Sequence, residues 1–129
     1  MLSIVPFYAG LLALFYCFLA VRVIRMRRTE HIAIGDGGNA RLRRAIRVHS
    51  NFAEYVPLAL LLFAFLELQR TAPLLVHGLC LALVLGRIAH ACGVSREKEN
   101  YHWREIGMFL TFGPIIVAAT RLVGALILF

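Results

Sequence analysis

Four apolar blocks, each near the length that crosses a bilayer, constrain this chain more than any other feature. They run at roughly Leu2–Val23, Ala45–Leu68, Pro73–Ala91 and Ile106–Phe129. About 20 predominantly apolar residues cross the hydrocarbon core as a helix. In lipid every backbone N–H and C=O must be satisfied within its own segment, so each block reads as an α-helix. Little of the 129-residue chain lies outside the blocks, and 60% of it is hydrophobic, well above the roughly 45–50% of soluble domains. The expected fold is therefore an all-α integral membrane protein. It is a single four-helix domain over residues 1–129, with helices at about 2–23, 40–68, 73–93 and 102–129. Short connections make neighbouring helices antiparallel, which gives an up-and-down bundle.

The first block is expected to stay in place rather than be cleaved as a secretory signal. Met1–Tyr8 has no basic residue, no small-x-small site follows the apolar run, and a dense arginine cluster does follow. The formal charge of +7 would suggest nucleic acid in a soluble protein, but its placement excludes that partner. Arg22, Arg25, Arg27, Arg28, Arg41, Arg43, Arg44 and Arg47 flank the first connection, and Arg87, Arg96, Lys98 and Arg104 flank the third. Only Arg70 lies in the second, and Arg121 lies inside the last block. Positive residues mark cytoplasmic loops, so both termini and the Leu68–Pro73 turn are expected on the outer side. Arg22–Arg28 read mainly as topology signals and contacts to anionic lipid headgroups.

The second block carries the chemistry. Its purely apolar part, Val56–Leu68, is too short to span, so the helix must extend back through Tyr55, Glu54 and Asn51. Arg44, Arg47, Asn51, Glu54 and Tyr55 step by three, four, three and one. At about 100° per residue they occupy roughly one third of the circumference. Ionisable groups in a membrane helix are costly and mark functional sites or buried partners. The structural alternative is an interfacial anchor, with arginines snorkelling and Tyr55 in the aromatic belt, or a salt bridge from Glu54 to Arg47 or Arg87. Arg87 and His90 share a face of the third helix at the same depth. Arg104 opens the fourth helix beside Tyr101, His102 and Trp103. Several guanidinium groups at one depth suit an anionic ligand bearing carboxylates, and they lower the pKa of a nearby thiol.

Other features read as structural. Thr29–Asn39 has turn chemistry in Asp36, Gly37 and Gly38, and Asn39 is positioned to cap the second helix. Gly93–Asn100 reads as a charged loop, with Ser95 and residues 97–100 in solvent. Pro57 and Pro114 sit inside helical blocks, which membrane helices tolerate. Cys17, Cys80 and Cys92 lack Cys-x-x-Cys spacing and read as reduced packing thiols. His31, His49, His77 and His102 have no metal-ligand spacing, so no metal site is assigned.

The run Arg44-Ala45, Arg47, Asn51, Glu54-Tyr55 and Pro57 resembles the second-helix signature of the MAPEG family, the membrane-associated proteins in eicosanoid and glutathione metabolism. The Gly35–Asn39 loop followed by RLRRAIRVHSNFAEYVPLALLL looks most like the bacterial branch. The resemblance covers essentially the whole chain. It implies a homotrimer with a glutathione site between subunits, near the cytoplasmic face. It implies that Arg47, Asn51, Glu54 and Tyr55 hold glutathione together with Arg44, that Arg87 contacts the tripeptide, and that Arg104 activates the thiol. His90 stands where glutathione-binding members have a Tyr, and Val94 replaces a second Tyr one turn on.

Two functions follow from this reading. One is a glutathione-dependent transferase or peroxidase acting on lipophilic small-molecule electrophiles in a bacterial inner membrane. The other is a non-catalytic lipid-binding or scaffold protein on the same fold, which His90 and Val94 favour. A small multidrug exporter would need a carboxylate in the first helix, and Met1–Val21 has none.

Overall fold

The computed structural model describes residues 1–98 and 100–127. Glu99, which the sequence assigned to a solvated loop, and Leu128 and Phe129, assigned to the last helix, lie outside the described residues. Four helices follow one another: α1 (Ile4–Glu30), α2 (Ala40–Leu68), α3 (Pro73–Ser95) and α4 (Tyr101–Ile127). Each is long and apolar enough to cross a membrane, and the chain is an all-α, multi-pass membrane protein.

The helix ends follow local chemistry. α1 continues past Val23 to Glu30, because arginine favours helix and Arg27 and Arg28 in the last turn oppose the negative end of the helix dipole. It stops at His31, whose φ of 53° breaks the helix, and Ile32 N–H closes the end on Arg27 O at 3.0 Å. The Arg27 guanidinium then donates to Gly35 O at 2.7 Å and ties the loop back to the helix. Asn39 caps α2, its Oδ1 accepting from Leu42 N–H at 3.0 Å. Pro73 opens α3, where its fixed φ suits the first turn and its missing N–H costs nothing. Ser95 departs from the expected solvated loop. It ends α3, is half-buried, and accepts a hydrogen bond from Arg22 Nη1 at 2.7 Å. Helix formation thus persists until this tie to α1 is made.

α2 and α3 form the centre. α1 packs on both, α4 packs on both, and α1 and α4 do not pack on each other. Between them lies an apolar core that includes Leu12, Val56, Phe63, Val76, Leu83 and Ala118, all buried. Large apolar side chains such as Phe18, Leu61, Phe109 and Ile116 point outward, as lipid-facing surfaces do.

α3 and α4 make the most extensive contact, and Gly86, Gly93 and Gly107 permit it. A Cβ on Gly107 would stand 2.5 Å from His90 N, and one on Gly93 would stand 2.7 Å from Arg104 N. Without a hydrophobic driving force in lipid, such small-residue contacts are how membrane helices approach closely. The Gly93 contact presses the start of α4, and so Arg104, against the end of α3.

Candidate functional site

The polar stripe of α2 faces into a cavity of about 500 Å³ at the end of the bundle where α2 begins and α3 ends. Arg44, Arg47, Asn51 and Tyr55 line it from α2, His90 from α3 and Arg104 from α4. Six residues expected from the sequence thus meet around one space. Ala40, Arg43, Val94 and Met108 complete its walls. Among the described residues the lining holds four guanidinium groups and no carboxylate, so its charge suits an anion.

Glu54 and Arg87, also expected in the site, take other places. On the α2 wheel Glu54 lies about 80° from Arg44, at the edge of the stripe. Its carboxylate sits 3.8 Å from Arg47 Nη1 with 48% of the side chain exposed. This is a loose, solvated pair that trims the charge of Arg47 from outside the cavity.

Arg87 lies beneath the cavity, 2% exposed. Its Nη1 donates to Asn51 Oδ1 at 2.6 Å and its Nη2 donates to Thr111 Oγ1 at 2.6 Å. Nη2 also approaches Gly107 O at 3.4 Å and Met108 Sδ at 3.7 Å. The Thr111 hydroxyl passes its own proton to Gly107 O at 2.7 Å. One guanidinium therefore bolts α2, α3 and α4 together through neutral acceptors, and Arg87 Nε has no hydrogen-bond partner among the described residues. No carboxylate pairs with Arg87 among the described residues. A buried charge held this way keeps its field, so the cavity floor is positive. The amide of Asn51 is fixed: with Oδ1 taken by Arg87, its NH₂ group is left to face the cavity.

The remaining parts hold the rim. Arg44 donates to Val94 O at 3.3 Å and to Glu97 O at 3.2 Å, joining the start of α2 to the end of α3. Tyr55 packs edge-on against Phe112 of α4, with ring centroids 5.0 Å apart. In the loop before α2, Asp36 Oδ2 accepts from Arg43 Nε and Oδ1 accepts from Gly38 N–H at 2.9 Å. The Arg43 hydrogen bond, followed by that of Gly38, holds the Asp36 carboxyl below its usual pKa. Asp36 is thereby committed to shaping the loop.

Thr111, Met108 and Gly107 were not singled out from the sequence. Their signal was present, because with Arg104 they fall at i, i+3, i+4 and i+7 on α4, one face of a helix. Among the described residues no three His, Cys, Asp or Glu side chains gather closely enough to hold a metal ion.

The model of the MAPEG family matches residues 5–124. Inner membrane protein YecN of Escherichia coli strain K12 is 34% identical over 110 residues, which cover 85% of this chain and 82% of YecN. The protein of the same name from Escherichia coli O6:H1 gives the same figures. No solved structure matches significantly. With a family match over nearly its whole length and a relative of this identity and coverage, the chain belongs to the MAPEG family.

Proposed function

We propose that this protein is a membrane-bound, glutathione-dependent transferase or peroxidase that acts on lipophilic electrophiles. The observation that carries the reading is the single cavity shared by Arg44, Arg47, Asn51, Tyr55, His90 and Arg104 in a chain of the MAPEG family. Its volume of about 500 Å³ lies within the range of ~300–1,000 Å³ usual for small-molecule sites. Glutathione, as the second substrate, brings two carboxylates and a thiol. The guanidinium groups of Arg44 and Arg47 fit the carboxylates, which arginine binds in a planar fork. The Asn51 amide, held by Arg87, orients the peptide.

Arg104, at the first turn of α4, supplies the positive field that favours the ionised thiol. The thiolate sulfur then bonds to an electrophile arriving from the bilayer and displaces its leaving group, or attacks the outer oxygen of a lipid hydroperoxide to release the alcohol. In the second case a second glutathione then converts the sulfenic acid to glutathione disulfide and water. The protein's part is positioning and charge, with no nucleophile of its own.

In this reading the molecule is a homotrimer whose neighbouring subunit completes the site. It resides in a bacterial inner membrane with both termini outside, consistent with the name of its Escherichia coli relative. A second reading is kept by one observation. His90 and Val94 line the wall where glutathione-binding members carry tyrosines, which favours a lipid-binding or scaffold role.

The deciding experiment is a titration of purified protein with glutathione, followed by thiolate absorbance. A rise is expected, diminished in Arg104→Ala. No rise at millimolar glutathione would put the scaffold reading ahead. Cross-linking in mild detergent should stop at trimer. Cysteines placed at Glu30 and Lys98, in a protein lacking its own thiols, should be labelled only from the cytoplasmic side.

A further inference from the structure

The opposite end of the bundle holds a second, larger cavity of about 990 Å³, between the α2–α3 turn and the last turns of α4. Arg70 of the turn and Arg121 of α4 both line it, with Thr71, Ala72 and an apolar wall of Leu66, Leu122 and Leu126. Neither guanidinium has a hydrogen-bond or ion-pair partner among the described residues. The nearest acid in sequence, Glu67, is committed elsewhere. Its oxygens accept from the N–H groups of Ser3, Ile4 and Val5 at 2.6, 2.8 and 2.8 Å. The start of α3 at Ala72 also opens on this cavity, with no side-chain cap and no acid in its first turn. Pro73 opens this helix without an N–H and Leu75 N–H is taken by Ala72 O at 3.0 Å, so the helix start contributes its dipole rather than a row of free amides.

Arg121 lies within a spanning helix, about 30 Å along α4 from Tyr101 at 1.5 Å per residue. That places it at the far edge of the hydrocarbon layer. A lone arginine there could snorkel to the headgroups. Here it shares one cleft with a second guanidinium and an uncapped helix start, and one wall of that cleft is aliphatic.

We propose that this cleft holds the phosphodiester of an anionic membrane phospholipid. Arg70 and Arg121 take the phosphate oxygens, and an acyl chain runs along Leu66, Leu122 and Leu126. The site is independent of the glutathione reading and lies at the other end of the molecule.

The test is native mass spectrometry of the full-length protein in detergent, with added phosphatidylglycerol, phosphatidylcholine or inorganic phosphate. Wild type should retain phosphatidylglycerol in preference to phosphatidylcholine. The Arg70→Gln/Arg121→Gln pair should weaken that retention about tenfold or more, the scale of losing two charge-assisted hydrogen bonds. Arg121→Lys should keep part of it, and Arg28→Gln, at the other end, should leave it unchanged. If the double variant aggregates, Arg70→Gln in the exposed turn should show the same loss at smaller size. Equal retention of both lipids, undiminished retention in the variants, or inorganic phosphate competing as an equal would overturn the proposal. So would a change of subunit number with lipid retention intact, because a second copy of the chain would then cover the cleft.

Discussion

At the end where α2 begins, four guanidinium groups and, among the described residues, no carboxylate line a cavity, and a fifth guanidinium, Arg87, lies buried beneath it. At the other end, the carboxylate of Glu67 is wrapped by the first amides of α1, and among the described residues the charged groups lining the cleft beside it are Arg70 and Arg121. Both ends thus set acids to structural tasks and leave positive charge facing the cavities. They differ in what supports the charge. The first end rests on a buried network that spans three helices, whereas the second rests on a turn and a helix terminus. The first is therefore rigid and sensitive to single deletions, and the second is tolerant.

The largest expected effect is at Arg87. Arg87→Ala removes the bonds to Asn51 and Thr111 and opens a void among three helices. Unsatisfied buried groups and a cavity together should cost about 3 kcal/mol, read as a lower melting temperature in detergent, and glutathione binding should fall with it. Arg87→Met refills the volume without the bonds and should recover part of the stability and little of the binding. If Arg87→Ala melts like wild type, the contrast between a rigid end and a tolerant end is wrong.

Gly107 comes next. In Gly107→Ala the new methyl meets His90 N at 2.5 Å, so α3 and α4 must move apart at a cost of about 2 kcal/mol. Gly113 lies on the same helix with nothing within 4 Å of its would-be Cβ, so Gly113→Ala should be neutral or slightly stabilising. Equal melting of the two variants would show that close packing does not hold the site in shape.

At the tolerant end, Glu67→Gln removes the charge and one of the two accepting oxygens that cap α1. A loss of about 1 kcal/mol is expected, with faster amide exchange at Ile4 and Val5 and no change at Asn51 or Gly107. Exchange that quickens at both ends would mean that the two ends are coupled.

Much of this molecule was legible in its sequence, and the rest was hidden for a physical reason. The four spans were legible because a bilayer imposes one length on every helix. The α2 stripe was legible because helical periodicity fixes which side chains share a face. The run-on of α1 to Glu30 and of α3 to Ser95 was not, because the end of an apolar block does not end a helix when the next residues also favour helix. The grouping of Arg87 with Asn51 and Thr111 depends on which helices are neighbours, and nothing within one helix states that. The close approach at Gly93 and Gly107 is a property of a pair of helices, silent in each alone.

Glu54 carries the smallest effect, and it tests how finely a stripe can be read. By spacing it belongs with Arg47 and Asn51. In the structure its carboxylate stands 3.8 Å from Arg47 and is about half exposed, whereas Asn51 is buried and bonded. An ion pair so loose and so wet contributes at most ~0.5 kcal/mol. Glu54→Gln should therefore leave the melting temperature near that of wild type. Freed of its partial neutralisation, Arg47 should attract a carboxylate ligand slightly more strongly, so glutathione affinity should hold or rise a little. Asn51→Ala should lose affinity, because it deletes an amide that Arg87 holds in place. If instead Glu54→Gln abolishes binding while Asn51→Ala is mild, the ligand reaches past the rim to the outer edge of the stripe. The working surface would then lie against a neighbouring subunit rather than in the cavity of one chain.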